Sequence, residues 1–89
     1  MCRNITTLRG LEPGATAEEI EAGARQYVRK ISGVQKTSPA TYEVFERAVA
    51  EIAAITTRVI NELPPRKEPP KTVPPLRRLN RVNQPARAR

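Results

Sequence analysis

A single thiol stands at position 2, and once the initiator Met1 is removed Cys2 has a free α-amino group beside its sulfur and the cation of Arg3 next to it. Such surroundings lower a thiol's pKa and suit redox sensing, acylation or thiol transfer. The rest of that chemistry is missing. The chain has no His, no Asp, no Trp and no second Cys, so neither an imidazole base nor a resolving thiol accompanies Cys2. The same absences remove the parts of a zinc site, a histidine-based triad and a disulfide framework. Cys2 is read first as a small residue packed at the end of a domain, and only second as a reactive thiol. No enzymatic activity, metal, cofactor or small-molecule substrate is expected.

The charged residues carry more. Through Leu63 eight basic residues are balanced by eight Glu, whereas from Pro64 onward Arg66, Lys67, Lys71, Arg77, Arg78, Arg81, Arg87 and Arg89 stand against Glu68 alone. That last segment therefore holds the whole net charge of +7. Seven of the nine prolines fall there too, so composition and charge change at one boundary, as expected of a small domain (1–63) joined to an extended Pro/Arg-rich tail (64–89). Pro64-Pro65, Pro69-Pro70 and Pro74-Pro75 recur every five residues and favour polyproline II. At about 3.1 Å per residue, twelve such residues span about 37 Å, a semi-rigid spacer. No two prolines are spaced as PxxP, which argues against an SH3 ligand.

Beyond the spacer, Arg77, Arg78, Arg81, Arg87 and Arg89 come with Asn80, Asn83 and Gln84. Guanidinium forks suit phosphates and amides suit base edges. A second basic edge is formed by Arg25, Arg29, Lys30 and Lys36, to be weighed against a merely solvated face balanced by Glu18, Glu21 and Glu51.

These groups need elements to position them. Thr16-Ala17-Glu18-Glu19 is a capping-box pattern that should start a helix. Ile20, Ala24, Tyr27, Val28 and Ile31 then form one apolar stripe, and Ser32-Gly33 supplies the stop. Ser38-Pro39 should start a second helix, whose stripe is Tyr42, Phe45, Val49, Ile52, Thr56, Val59, Ile60 and Leu63 and which Pro64-Pro65 ends. The short linker makes the two helices antiparallel neighbours. Upstream, Asn4 is expected to cap a short helical turn through Leu8, with Ile5, Leu8 and Leu11 across the open side of the hairpin. With three aromatic residues the core is thin. No apolar run is long enough to span a bilayer and the N-terminus lacks a signal-peptide core, so a cytoplasmic protein without membrane insertion is expected.

The stretch from Leu8-Arg9-Gly10-Leu11 through Pro13 and Ala15-Thr16-Ala17-Glu18-Glu19-Ile20 resembles the opening of J-domains of the DnaJ co-chaperone type, and Phe45, Ala48 and Ile52 resemble positions of their third helix. J-domains stimulate their chaperone through a His-Pro-Asp motif in the loop after the second helix. Here that loop, from Ile31 to Ser38, has none of it, so the resemblance implies a J-like fold without the activity. A tighter resemblance is to small bacterial proteins grouped as domain of unknown function 2277, which open Met-Cys-Arg-Asn-Ile and carry Tyr-Val-Arg-Lys before Ser-Gly. Those residues stand here as Met1 to Ile5, Tyr27 to Lys30 and Ser32-Gly33, and this similarity is expected to end near Leu63. It implies a group and no activity.

The expected architecture is all-α: a short N-terminal turn, a J-like two-helix hairpin and an extended basic tail. The expected function is a non-enzymatic, RNA-associated accessory protein bound to the ribosome. Arg66, Lys67, Lys71, Arg77, Arg78, Arg81, Arg87, Arg89, Arg29, Lys30 and Lys36 would contact rRNA phosphates, with ribosomal proteins as neighbours. The alternative is a protein-interaction adaptor, or a small subunit of a larger assembly.

Overall fold

Thr16 starts the first helix as its spacing implies. The Glu19 backbone N–H donates to the Thr16 hydroxyl at 3.1 Å, and the Thr16 N–H donates to Glu19 Oε1 at 2.9 Å. With two of the orphan donors of the helix end satisfied in this way, α1 runs from Ala17 to Ser32. Gly33 ends it at φ 75°, where glycine has no Cβ to clash, and donates its N–H to Arg29 O at 2.9 Å. The structure, a computed structural model, describes residues 4–77.

The second helix, α2, is regular from Tyr42 to Glu62, starting later than the Ser38-Pro39 pair suggests. The Tyr42 N–H does reach Ser38 O at 2.9 Å, but residues 39–41 form a turn in which Thr41 lies at φ −110°. Thr41 Oγ1 accepts the Ser38 N–H at 2.8 Å, so a threonine takes the place of the capping-box acid. At the far end Leu63 is extended, the conformation that the following proline requires.

The helices are antiparallel: the start of α1, at Ala17 and Ile20, lies beside Ala53 and Ala54, while Arg25 meets Glu46 near the start of α2. Between them Ala24, Val28, Phe45 and Val49 form the buried cluster, with Val34, Ala48, Ile52 and Ala53 packed around it. Ile20 and Leu11 are buried as well. The stripes are wider than the strip that two helices can cover. Tyr27, Ile31, Tyr42, Val59 and Leu63, expected to face inward, are largely exposed, Ile31 to 66%.

The third layer is not helical. Residues 4–10 make bends and a turn in place of the expected helical turn. The Asn4 N–H donates to Gln26 Oε1 of α1 at 2.9 Å, so Asn4 ties the segment to the hairpin and caps nothing. Gly23 makes the approach feasible, because a Cβ there would stand 3.1 Å from the Asn4 carbonyl oxygen. A glycine within a helix costs about 1 kcal/mol relative to alanine, and here it admits a backbone.

The proline-rich segment does not project from the hairpin through Arg77. It returns across the N-terminal layer: Thr72 Oγ1 lies 2.8 Å from Thr6 Oγ1, and Pro74 is fully buried. A helical turn begins at Pro75, with the Arg77 N–H donating to Pro74 O at 3.1 Å. Arg77 then makes the densest set of polar contacts among the described residues. Its Nε donates to Glu19 Oε2 at 2.9 Å and its Nη2 to Glu19 Oε1 at 3.0 Å, while Nη1 reaches Pro13 O at 2.8 Å and Nη2 reaches Gly14 O at 3.0 Å. The change of composition at Leu63 thus marks the end of α2, and the packed chain continues to Arg77.

Only 3% of the Glu19 side chain and 10% of Arg77 remain exposed, so removing one partner strands a buried charge. Glu19→Gln keeps one side-chain acceptor for the capping box, but removes the charge and sets an amide NH2 against an Arg77 donor. It is expected to destabilise the protein by about 3 kcal/mol in urea denaturation. Combining it with Arg77→Met should recover part of the loss, whereas an additive double variant would show that the two side chains do not act as a pair.

Candidate anion-binding surface

Arg29 and Lys30 lie in the last turn of α1 and Lys36 in the loop that follows, all three exposed. Arg25, read as part of the same edge, is withdrawn from it. Its Nη1 donates to Glu46 Oε2 at 2.6 Å, and its Nη2 donates to Glu46 Oε1 at 3.1 Å and to Glu21 Oε2 at 2.8 Å. Its Cζ also lies 6.0 Å from the centre of the Phe45 ring, at the outer range of a cation–π contact. The hydrogen bond from Arg25 holds the Glu46 carboxyl below its usual range, and the same carboxylate raises Arg25 further above its own.

Of the cations singled out in the tail, Arg77 is taken by Glu19. Lys67 and Lys71 are exposed, and Arg66 lies with its aliphatic stem over Gly10. Arg78, Arg81, Arg87, Arg89 and Cys2 lie outside the described residues. Arg29, Lys30, Lys36, Arg66, Lys67 and Lys71 enter no ion pair among the described residues, although the charge of Arg29 acts on Glu46 from a distance.

One cation that composition hides joins them. Arg9 belongs to the electrically neutral part of the chain, yet among the described residues it too has no carboxylate partner, and its Nε is buried with no hydrogen-bond acceptor. Arg9 and Arg66 line one open cleft of about 360 Å³. Thr6, Thr7 and the end of α2, at Val59, Ile60 and Leu63, complete its walls. The signal in the sequence was Gly10, whose φ of 96° turns the chain directly after Arg9 and whose missing Cβ admits Arg66. A Cβ at that position would meet Arg66 Cδ at 3.0 Å.

Among the described residues no group of three His, Cys, Asp or Glu side chains is placed to hold a metal ion. No described helix is long and apolar enough to cross a membrane.

The sequence matches the family model described as uncharacterized conserved protein DUF2277 over residues 1–84, and the chain belongs to that family. The match continues past Leu63 and so includes most of the proline-rich segment, which is therefore not peculiar to this chain. The packing of Pro74 and Arg77 against the hairpin gives that extent a physical reason. No curated protein and no solved structure matches the chain.

The Arg25–Glu46 pair sets an acid limit. Because the Glu46 carboxyl is held low in the folded state, its contribution is complete above the unfolded value of about 4.3 and is lost as pH falls through the lowered folded value. In Glu46→Gln that contribution is absent at every pH. The gap in thermal midpoint between parent and variant, followed by circular dichroism, should therefore be largest near neutrality and close on acidification. A gap that stays constant down to acid would mean that the ion pair contributes nothing.

Proposed function

We propose that this member of the DUF2277 family is a non-enzymatic, cytoplasmic, RNA-associated accessory protein that works on the ribosome. The reading rests on one observation: the net charge of +7 lies wholly beyond Leu63, and of the four described cations there only Arg77 is neutralised by a carboxylate. Arg66, Lys67 and Lys71 remain uncompensated, and Glu68 is the last acidic residue of the chain. Extended chain this rich in Arg gains most of its binding energy by displacing counterions from phosphates. Arg77 is anchored beside the start of α1, and Arg78, Arg81, Arg87 and Arg89 follow it in sequence. In this reading Arg29, Lys30 and Lys36 add a second set of phosphate contacts, and ribosomal proteins are the neighbours.

A second reading, an adaptor or small subunit of a larger assembly, is favoured by the apolar side chains left in solvent. Val44, Ile55 and Val59 are more than half exposed. At about 100° per residue they fall within about 60° on one side of α2. An apolar row of this kind is a common mark of a protein contact.

The two readings part on salt. The full chain should co-sediment with purified ribosomal subunits, with log affinity falling by about 0.7 to 0.9 per log of salt for each phosphate neutralised. Replacing Arg78, Arg81, Arg87 and Arg89 together by Gln, with Arg77 left in its contacts, should flatten that slope by about 3. Truncation at Leu63 is the poorer test, because it also removes Pro74 and Arg77 from the packed chain. A shallow slope that ignores the four arginines but collapses with Ile55→Ser and Val59→Ser would favour the adaptor.

A further inference from the structure

We propose that the cleft between residues 6–9, the last turns of α2 and Arg66 binds a small amphiphilic anion, with its oxyanion head between Arg9 and Arg66 and its apolar body on Val59 and Leu63. The site does not depend on the tail beyond Arg77 or on RNA binding.

The charge argument comes first. Two arginines, Arg9 and Arg66, line one cleft, and no carboxylate forms an ion pair with either among the described residues, although Glu12, Glu62 and Glu68 are all near in sequence. Like charges held at one site repel, and an arrangement that keeps them together without a counter-ion leaves that charge to be met from outside. Arg9 adds a second cost. Its Nε is closed off from solvent with no acceptor, and a buried donor without a partner in a native fold calls for an explanation. In the proposed complex the outer nitrogens of Arg9 would meet the ligand's oxyanion, since Arg9 lines the cleft and its Nε is buried.

The second argument is that the backbone brings these cations together. Gly10 turns the chain between Leu8 and Leu11 at positive φ, and the stem of Arg66 rests on the bare Cα that this leaves. A Cβ at this position would be strained at φ 96° and would press on the Arg66 stem at 3.0 to 3.4 Å. Of the hydroxyls present, Thr6 is engaged with Thr72 and Thr56 with the Ile52 carbonyl, whereas the Thr7 hydroxyl enters no hydrogen bond among the described residues. Thr7 is thus the neutral donor beside the two cations.

The third argument concerns the ligand's body. Val59 and Leu63 are about half exposed on the opposite wall, and an apolar surface facing two fixed cations suits a molecule with an anionic end and a hydrocarbon or ring portion. A volume of about 360 Å³ is at the lower end of the range for small-molecule sites. A bare phosphate would leave the apolar wall wet.

The test is titration of the full chain with hexyl phosphate and, separately, with inorganic phosphate, followed by backbone amide shifts. Hexyl phosphate should give saturable shifts confined to Thr6, Thr7, Arg9, Val59 and Arg66. It should bind at least about tenfold more tightly than inorganic phosphate, since each buried methylene adds to affinity. Arg9→Gln and Arg66→Gln should each weaken it by about tenfold, while Lys71→Gln should leave it unchanged. Arg66 is exposed, so its substitution leaves the core intact even if the Arg9 variant proves unstable. The proposal is overturned by the absence of saturation, by equal affinity for the two phosphates, by shifts spread over Lys30, Lys36 and Lys71, or by indifference to Arg66→Gln.

Discussion

The carboxylate of Glu19 is the point on which the rest of the structure turns. Its Oε1 accepts from the Thr16 backbone and from Arg77, its Oε2 accepts from Arg77 Nε, and almost none of the side chain is left in water. Burying a carboxylate is costly unless charge and hydrogen bonds compensate it. Here one guanidinium does so while also closing the Pro13 and Gly14 carbonyls. The start of α1, the turn before it and the end of the proline-rich segment are thereby one unit. A change at any of the three is felt by the others, because each completes the same carboxylate's environment.

The need for such a joint follows from the thinness of the apolar core. Ala24, Val28, Phe45 and Val49 are few and mostly small, and two helices cannot cover their own stripes. The N-terminal segment and the proline-rich segment that crosses it add buried Leu11 and Pro74, and they are held largely by polar ties: Asn4 to Gln26, Thr6 to Thr72, Arg77 to Glu19. Elsewhere Ile31 and Val44 stay in solvent. The same incompleteness leaves the cleft beside Arg9 open.

What could be read from the sequence was what depends on neighbours in sequence. Thr16 and Glu19 are three residues apart, Gly33 follows its helix directly, and Pro64 forbids the next turn, so each boundary was fixed by local stereochemistry. The Ser38-Pro39 start misled by a few residues because Thr41, itself able to close on Ser38, diverts the backbone first. The layers were not legible. Asn4 finds Gln26 across 22 positions and Arg77 finds Glu19 across 58, and no periodicity carries such pairings. Counting charge placed Arg77 among the free cations because a count ignores partners. The same counting hid Arg9, whose charge was averaged away against distant glutamates.

The contact between Arg77 and Glu19 also has a meaning in time. The hairpin is made of contacts close in sequence and can form early, but the clasp closes a loop of 58 positions, and that closure gains nothing until its last member is present. During synthesis the helices therefore leave the ribosome before the residue that locks them. For that interval Glu19 is a carboxylate without its cation at the head of α1. Closure of this clasp therefore waits on the arrival of Arg77.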